Sequence, residues 1–240
     1  QHTEDINAVA AEAHALQLID ETDTIRVPHP EYFGTCKEET FLIVEYIPLF
    51  PHTKKSMALL GEQLAHLHLA SKEKRFGFEL NNTLGTTQQL NHWSKEWIPF
   101  FQKQRLEWQL QIVEEHFQDT ELIELGEQVI EKLPSFFEGI SITPSLLHGN
   151  LCEDNTATDA EGKPLIFDPA SYYGHHEADL CLIDKEKEFS HAFFDAYHAI
   201  IPKAKGFEER QNLYSLYHAL NNYNNFGIGY RSGSLELIAA

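Results

Sequence analysis

Leu147-His148-Gly149-Asn150-Leu151-Cys152-Glu153-Asp154-Asn155, followed after a polar turn by Leu165-Ile166-Phe167-Asp168-Pro169, is the stretch on which the fold is decided. Two strand-like pieces, Thr156-Ala157-Thr158 and Leu165-Ile166-Phe167, flank the turn Asp159-Ala160-Glu161-Gly162, and that pattern predicts a hairpin. A hairpin brings its ends together. Asn155 before the first strand and Asp168 after the second therefore stand side by side, offering an amide oxygen and a carboxylate. Both are hard donors, and Mg²⁺ takes a few such ligands and fills its octahedron with waters and substrate phosphates. A polar turn without an ion fits the same spacing, so spacing alone leaves both readings open.

Outward from this hairpin the chain changes character near Pro48 to Pro51. Ahead of it, Val9, Ala13, Leu16 and Ile19 recur at helical spacing, which predicts a helix over Ala8 to Ile19. Arg26-Val27-Pro28-His29-Pro30 then forces an extended segment. Short strands are expected at Glu31 to Gly34 and at Phe41 to Tyr46, the latter an apolar, β-branched run ending at Pro48. Behind the change the chain is mostly helical. Met57, Leu60, Leu64 and Leu67 form one stripe, Leu122, Leu125, Val129 and Leu133 a second, and Leu213, Leu216, Tyr217 and Leu220 a third. The expectation is an α+β chain with a small unit over 1–48 (helix, two strands, hinge) and a helical unit over 49–240.

With 240 residues, 42% of them hydrophobic, the chain is long enough for one domain or two joined lobes. No stretch approaches the roughly 18 apolar residues of a membrane span, so no membrane partner is expected. A formal net charge of −19 disfavours nonspecific nucleic-acid binding and requires a metal ion for an anionic substrate. Cys36, Cys152 and Cys181 are odd in number and lack a CxxC spacing, which reads as reduced thiols in the cytoplasm. The chain opens with Gln1, and its only methionine is Met57, so it is expected to lack its natural start.

Other chemistries fit less well. The 14 histidines invite a zinc reading at His66 with His68 or at His175-His176, but neither pair has helical H-x-x-x-H spacing. No serine stands in a Gly-x-Ser-x-Gly elbow. Trp93 and Trp97, four residues apart, read equally as one packed helix face or as sugar-stacking rings.

Beyond these readings the chain resembles the fructosamine kinases. That family carries His-Gly-Asp-Leu-Trp-x-x-Asn and then Phe-Asp-Pro-Ala-x-Tyr-x-Gly-x-x-Glu-x-Asp-Leu. Here the second motif is complete from Phe167-Asp168-Pro169-Ala170 to Glu177-Ala178-Asp179-Leu180. Phe76-Gly77-Phe78, Asn82-Thr83-Leu84-Gly85 and Gln89 to Trp93 look like the family's centre, and Phe226-Gly227-Ile228-Gly229-Tyr230 like its end. The resemblance implies a protein-kinase-like two-lobe fold with a cleft between the lobes. It implies ATP and Mg²⁺ as cofactors, and as substrate a ketosamine, free or protein-bound, phosphorylated on a sugar hydroxyl. By the same resemblance Asn155 and Asp168 are the metal ligands, Asn150 and Asp168 the catalytic pair, and His148 and Asp179 braces of the loop. Glu45 and Tyr46 fall at the hinge that reaches adenine, and Glu12 where a helix glutamate pairs with the phosphate lysine. Cys152, Trp93 and Tyr172 fall on the substrate side. Aminoglycoside and choline kinases share the His-Gly-Asp pattern and are the rivals in this class. A kinase-like ligand-binding protein without turnover is the rival outside it.

The family pattern fails at two places. Asn150 stands where the family has aspartate, and loss of a general base costs about 10²- to 10⁴-fold in rate. Phosphoryl transfer depends mainly on positioning and charge stabilisation, so an amide that orients the hydroxyl leaves a slower reaction possible. Cys152 replaces the family's Trp, while Glu153 and Asp154 read as solvated loop residues. At the front, only eleven residues precede Glu12 and no lysine occurs before Lys37. Three strands of ordinary length with turns need about 25–30 residues, so the glycine-rich strands and the lysine strand are expected to be absent from this chain.

Overall fold

The computed structural model describes residues 2–37, 39–184, 187 and 190–240. Helix α1 (His2–Asp20) starts earlier than the apolar spacing indicates, since no glycine or proline interrupts the residues before Ala8. It buries Ala11, Ala15, Leu16 and Ile19. Strand β1 (Pro30–Cys36) pairs antiparallel with β2 (Glu39–Val44), Tyr32 opposite Ile43 and Cys36 opposite Glu39. The register slips between Pro30 and Tyr32, where proline has no N–H to donate.

Helix α2 (Lys54–Ala70) opens on a capping box: the Thr53 hydroxyl accepts from the Ser56 amide and the Ser56 hydroxyl from the Thr53 amide. Met57, Leu60, Leu64 and Leu67 are all buried. A hairpin not legible in the sequence follows, β3 (Asn82–Leu84) with β4 (Thr87–Gln89). Then α3 (Trp97–Phe101) runs through a wide π-turn (Gln102–Glu107) into α4 (Trp108–Phe117). The π-turn carries the fully buried Arg105, whose guanidinium lies over the rings of Phe100 at 4.7 Å and Tyr172 at 4.1 Å. In α5 (Thr120–Lys132), Leu122 and Gly126 face inward. Of the expected stripe, Leu125 and Val129 instead line a groove with Leu235 and Ile238.

Strand β5 (Ser145–Leu146) precedes the hairpin β6 (Thr156–Thr158) and β7 (Pro164–Ile166), which pair antiparallel with Ala157 opposite Leu165. The turn closes as its residues require. The Asp159 carboxylate accepts from the amides of Glu161 and Lys163, each at 2.9 Å, and Gly162 takes φ +77°. Strand β8 (Tyr173–Gly174) pairs with β5. Helices α6 (Ser190–Ile200), α7 (Phe207–Phe226) and α8 (Arg231–Ala239) complete the order. A Cβ on Gly61 would lie 2.2 Å from the Phe193 carbonyl oxygen, so glycine is what lets α2 lie directly against α6.

One bridge fastens the front segment to the hairpin and a second fastens the junction over 48–51 to it. Ile166 donates to the Arg26 carbonyl, and Phe50 and Thr158 exchange a pair of hydrogen bonds. The Arg26 guanidinium joins Asp159 at 2.7 Å to Glu45 at 2.9 Å. Among the described residues no helix is long and apolar enough to cross a membrane.

Candidate active site

The loop ahead of the hairpin is held from beneath by Asp179. One carboxylate oxygen accepts from the His148 amide at 2.6 Å and the other from the Gly149 amide at 2.7 Å. Burial opposes ionisation of Asp179, but the His68 hydrogen bond and these donors hold its carboxyl below the usual range. His148 is satisfied inside the loop: its Nε2 lies 3.0 Å from the Phe167 carbonyl, and its Nδ1 accepts from the Asn150 amide at 3.3 Å. That pairing requires a neutral ring protonated at Nε2, and burial lowers its pKa accordingly.

Gly149 makes the crossing possible. It takes φ +79°, and a Cβ there would sit 2.1 Å from the Ala170 carbonyl oxygen. Backbone strain and steric overlap act together, so Gly149→Ala is expected to destabilise the protein by about 3 kcal/mol. Urea unfolding measures this; a loss below about 1 kcal/mol would contradict the packing described.

Beyond the glycine the predicted site residues converge. The Phe167 amide donates to the Asn155 carbonyl at 3.1 Å, closing the hairpin where expected. Asn155 Nδ2 donates to the Asn150 carbonyl at 2.9 Å, which fixes the amide's orientation and, among the described residues, leaves Oδ1 without a donor. Asn150 Nδ2 donates in turn to the Asp168 carboxylate at 3.2 Å and to its carbonyl at 3.3 Å. Asp168 has φ +57°, a left-handed conformation that asparagine and aspartate tolerate better than other side chains. Burial raises its carboxyl, and a hydrogen bond from Asn155 opposes the shift.

Glu12 on α1 feels the charge of Asp168. Its carboxyl is pushed up to about 7, first by burial and then by the charge of Asp168. Among the described residues no basic side chain offsets that charge. The Asp168 carboxylate and the Asn155 amide oxygen are hard donors of the kind that fit Mg²⁺, and Glu12 adds negative charge acting on Asp168.

Other predicted residues are placed differently. Glu45 has its amide on the His29 carbonyl and its carboxylate engaged by Arg26, so its backbone N–H is spent while, among the described residues, its carbonyl is not. Tyr46 is 86% exposed. Tyr172 is corrected: it is 3% exposed beneath Arg105 and stacked on Phe100, so its ring belongs to the core and is no wall of a cleft. Trp93 and Trp97 share no helix. Ser94 bridges to Phe76, and α3 starts only at Trp97, which is buried. Trp93 stacks on Tyr173, carries Arg75 over its ring, and edges a cavity of about 440 Å³ lined also by Asn81, Gln88 and His92. Neither Asp168 nor Asn155 lines that cavity. Cys152 lies in the loop, its thiol raised by burial. Glu153 and Asp154 are exposed, as expected of solvated loop residues, and Glu153 also pairs at the surface with Lys187 at 2.5 Å. At the zinc candidates, Glu177 is gripped by Arg210 through two hydrogen bonds, and His175 Nδ1 lies 2.6 Å from the Tyr214 hydroxyl. Sequence alone offered His68 only as a zinc candidate beside His66, and gave Arg105 no role. His68 lies four residues after Leu64 on the buried stripe of α2, a placement that was legible.

Comparison with known proteins agrees in family and in fold. The family model described as fructosamine kinase matches residues 1–240. A chloroplastic protein-ribulosamine 3-kinase of Arabidopsis thaliana is 42% identical over 229 residues, covering 95% of this chain and 70% of that protein. The chain spans 66% of the length of the rice proteins of the same name. The crystal structure of a putative fructosamine-3-kinase from Haemophilus somnus superposes with a TM-score of 0.88 at 28% identity, covering 100% of this chain and 81% of that one. The choline kinase LicA from Streptococcus pneumoniae, at 15% identity and TM-score 0.68 over 100% and 83% of the two chains, shares the fold alone. The architecture is therefore protein-kinase-like, with mixed helix and strand.

Proposed function

The chain belongs to the fructosamine kinase family, and from that premise we propose that the protein transfers the terminal phosphoryl group of ATP to a sugar hydroxyl of a ketosamine, free or protein-bound. The observation that carries this reading is the Asn150, Asn155 and Asp168 cluster, braced by Asp179, with the charge of Asp168 felt by Glu12. Asn155 Oδ1 and the Asp168 carboxylate would hold Mg²⁺, which when bound neutralises phosphate charge. Asn150 would orient the acceptor hydroxyl through its amide. Residues 1–48 would supply the nucleotide side, with the Glu45 carbonyl and the Tyr46 backbone toward adenine, and residues 49–240 the substrate side. Cys152, smaller than the family's Trp, would leave the sugar less enclosed, and Trp93 would line an outer part of its approach. The net charge of −19 supports a small or protein-bound substrate over nucleic acid. The free cysteines, with Cys181 raised by burial, support a reducing compartment such as the cytoplasm.

An acceptor panel tests the substrate class. Fructosyl-lysine and ribulosyl-lysine are expected to be phosphorylated with ATP and Mg²⁺, and choline and aminoglycosides are not. Turnover confined to choline or an aminoglycoside would overturn the proposal.

A further inference from the structure

We propose that His68 is a positioning residue for the loop over 148–155: held at both ring nitrogens, it orients Asp179, which in turn fixes the backbone of His148 and Gly149. The role rests on that loop being the catalytic loop of the phosphotransferase proposed above.

His68 lies on the inward stripe of α2 with its side chain 0% exposed. Its Nε2 is 3.1 Å from Asp179 Oδ2, the same oxygen that receives the His148 amide. Its Nδ1 is 2.8 Å from the Tyr197 hydroxyl on α6. Asp179 carries no proton to give, so His68 must donate from Nε2. The Tyr197 oxygen is also 2.9 Å from His176 Nδ1. One hydroxyl has one proton, so Tyr197 donates to one of these rings and receives from the other. A ring flip of His68 would turn carbon atoms toward both Asp179 and Tyr197. The orientation is thus fixed from two sides, and Asp179 keeps three donors on a buried carboxylate, an arrangement in which losing one charge-assisted bond is costly.

The adjoining His175, His176 and Glu177 bring ligand atoms within 4.8 Å of one another. A cation there would have to break the Glu177 fork with Arg210 and sit beside that guanidinium, so the group reads as hydrogen-bonded structure.

Long-range proton–nitrogen correlation spectra of the full chain are expected to show His68 protonated at Nε2. In folded His68→Leu, exchange of the His148 and Gly149 amides is expected to quicken about 10-fold or more while α7 amides keep their rates. His68→Gln, which retains a donor at the Nε2 position, is expected to keep protection within about threefold of the unsubstituted protein. His68→Asn, which reaches only Tyr197, is expected to lose it. Unchanged protection in folded His68→Leu, or a uniform acceleration across the chain, would overturn the assignment. Should His68→Leu not fold, equal protection in the Gln and Asn variants would overturn it instead. Exchange needs no turnover, so an unsubstituted protein that fails to transfer phosphate would count against the kinase reading alone.

Discussion

In a chain that carries a complete front lobe, Asn150→Asp is expected to raise the single-turnover rate of phosphoryl transfer by about 10²-fold or more at saturating Mg²⁺. The amide at 150 already sits at the head of the loop, hydrogen-bonded to Asp168, so position is present and basicity is missing. A carboxylate there can take the proton of an attacking hydroxyl, which an amide cannot. The substitution also removes two donors from Asp168 and adds a negative charge beside Asp168 and Glu12. Without metal the variant should therefore be less stable than its parent, and Mg²⁺ should stabilise it more. Rates that stay at background in both forms would mean that the loop, with Cys152 in place of an aromatic ring, misplaces the hydroxyl. The chain would then be a ligand-binding relative.

The second large effect concerns the metal. Asp168→Asn is expected to weaken Mg²⁺ binding by about 100-fold or more, since even partners one shell further out cost about 10- to 100-fold in metal affinity. Calorimetric titration measures this, and an affinity within about threefold of the parent would remove Asp168 from the ligand set. The pH dependence has a definite sign. Glu12 has its carboxyl raised from 4.5 to about 7 in the folded protein, so the native state binds a proton that the unfolded chain has released. Glu12's own contribution to metal-free stability should consequently fall as pH rises from about 4.5 through about 7, against the histidines whose pKa is lowered by burial, which work in the opposite sense. Ionised Glu12 adds negative charge that acts on Asp168, so Mg²⁺ affinity should rise over the same interval, and the difference between the parent and Glu12→Gln curves measures both effects.

The part of this architecture most legible in the sequence was the hairpin, because two short strand-like pieces around an Asp-x-x-Gly turn leave few ways to fold twelve residues. Its ends placed Asn155 and Asp168 together without reference to the rest of the chain. What the sequence concealed depends on longer range. Tyr172 and Tyr173 are neighbours, yet β8 is two residues long, too short for alternation to show which ring faces the core. Trp93 and Trp97 have helical spacing, but the bridge between Phe76 and Ser94 holds Trp93 extended, a pairing across 18 positions that periodicity cannot report. The brace beneath the loop was partly visible. Asp179 was expected there from the resemblance, whereas the fixing of its carboxylate by His68 requires α2 to lie against α6, which the glycine at position 61 makes possible.

The central claim is that the cluster of Asn150, Asn155 and Asp168 is a phosphoryl-transfer site for ketosamines. Its most direct test is single-turnover transfer from ATP to fructosyl-lysine or ribulosyl-lysine by the protein, by Asn150→Asp and by Asp168→Asn, with the phosphate located by phosphorus NMR. The predicted result is a phosphoester on the sugar, formed slowly by the protein, faster by Asn150→Asp and not by Asp168→Asn. Equal rates in all three, or no phosphoester from either the protein or Asn150→Asp, would contradict it.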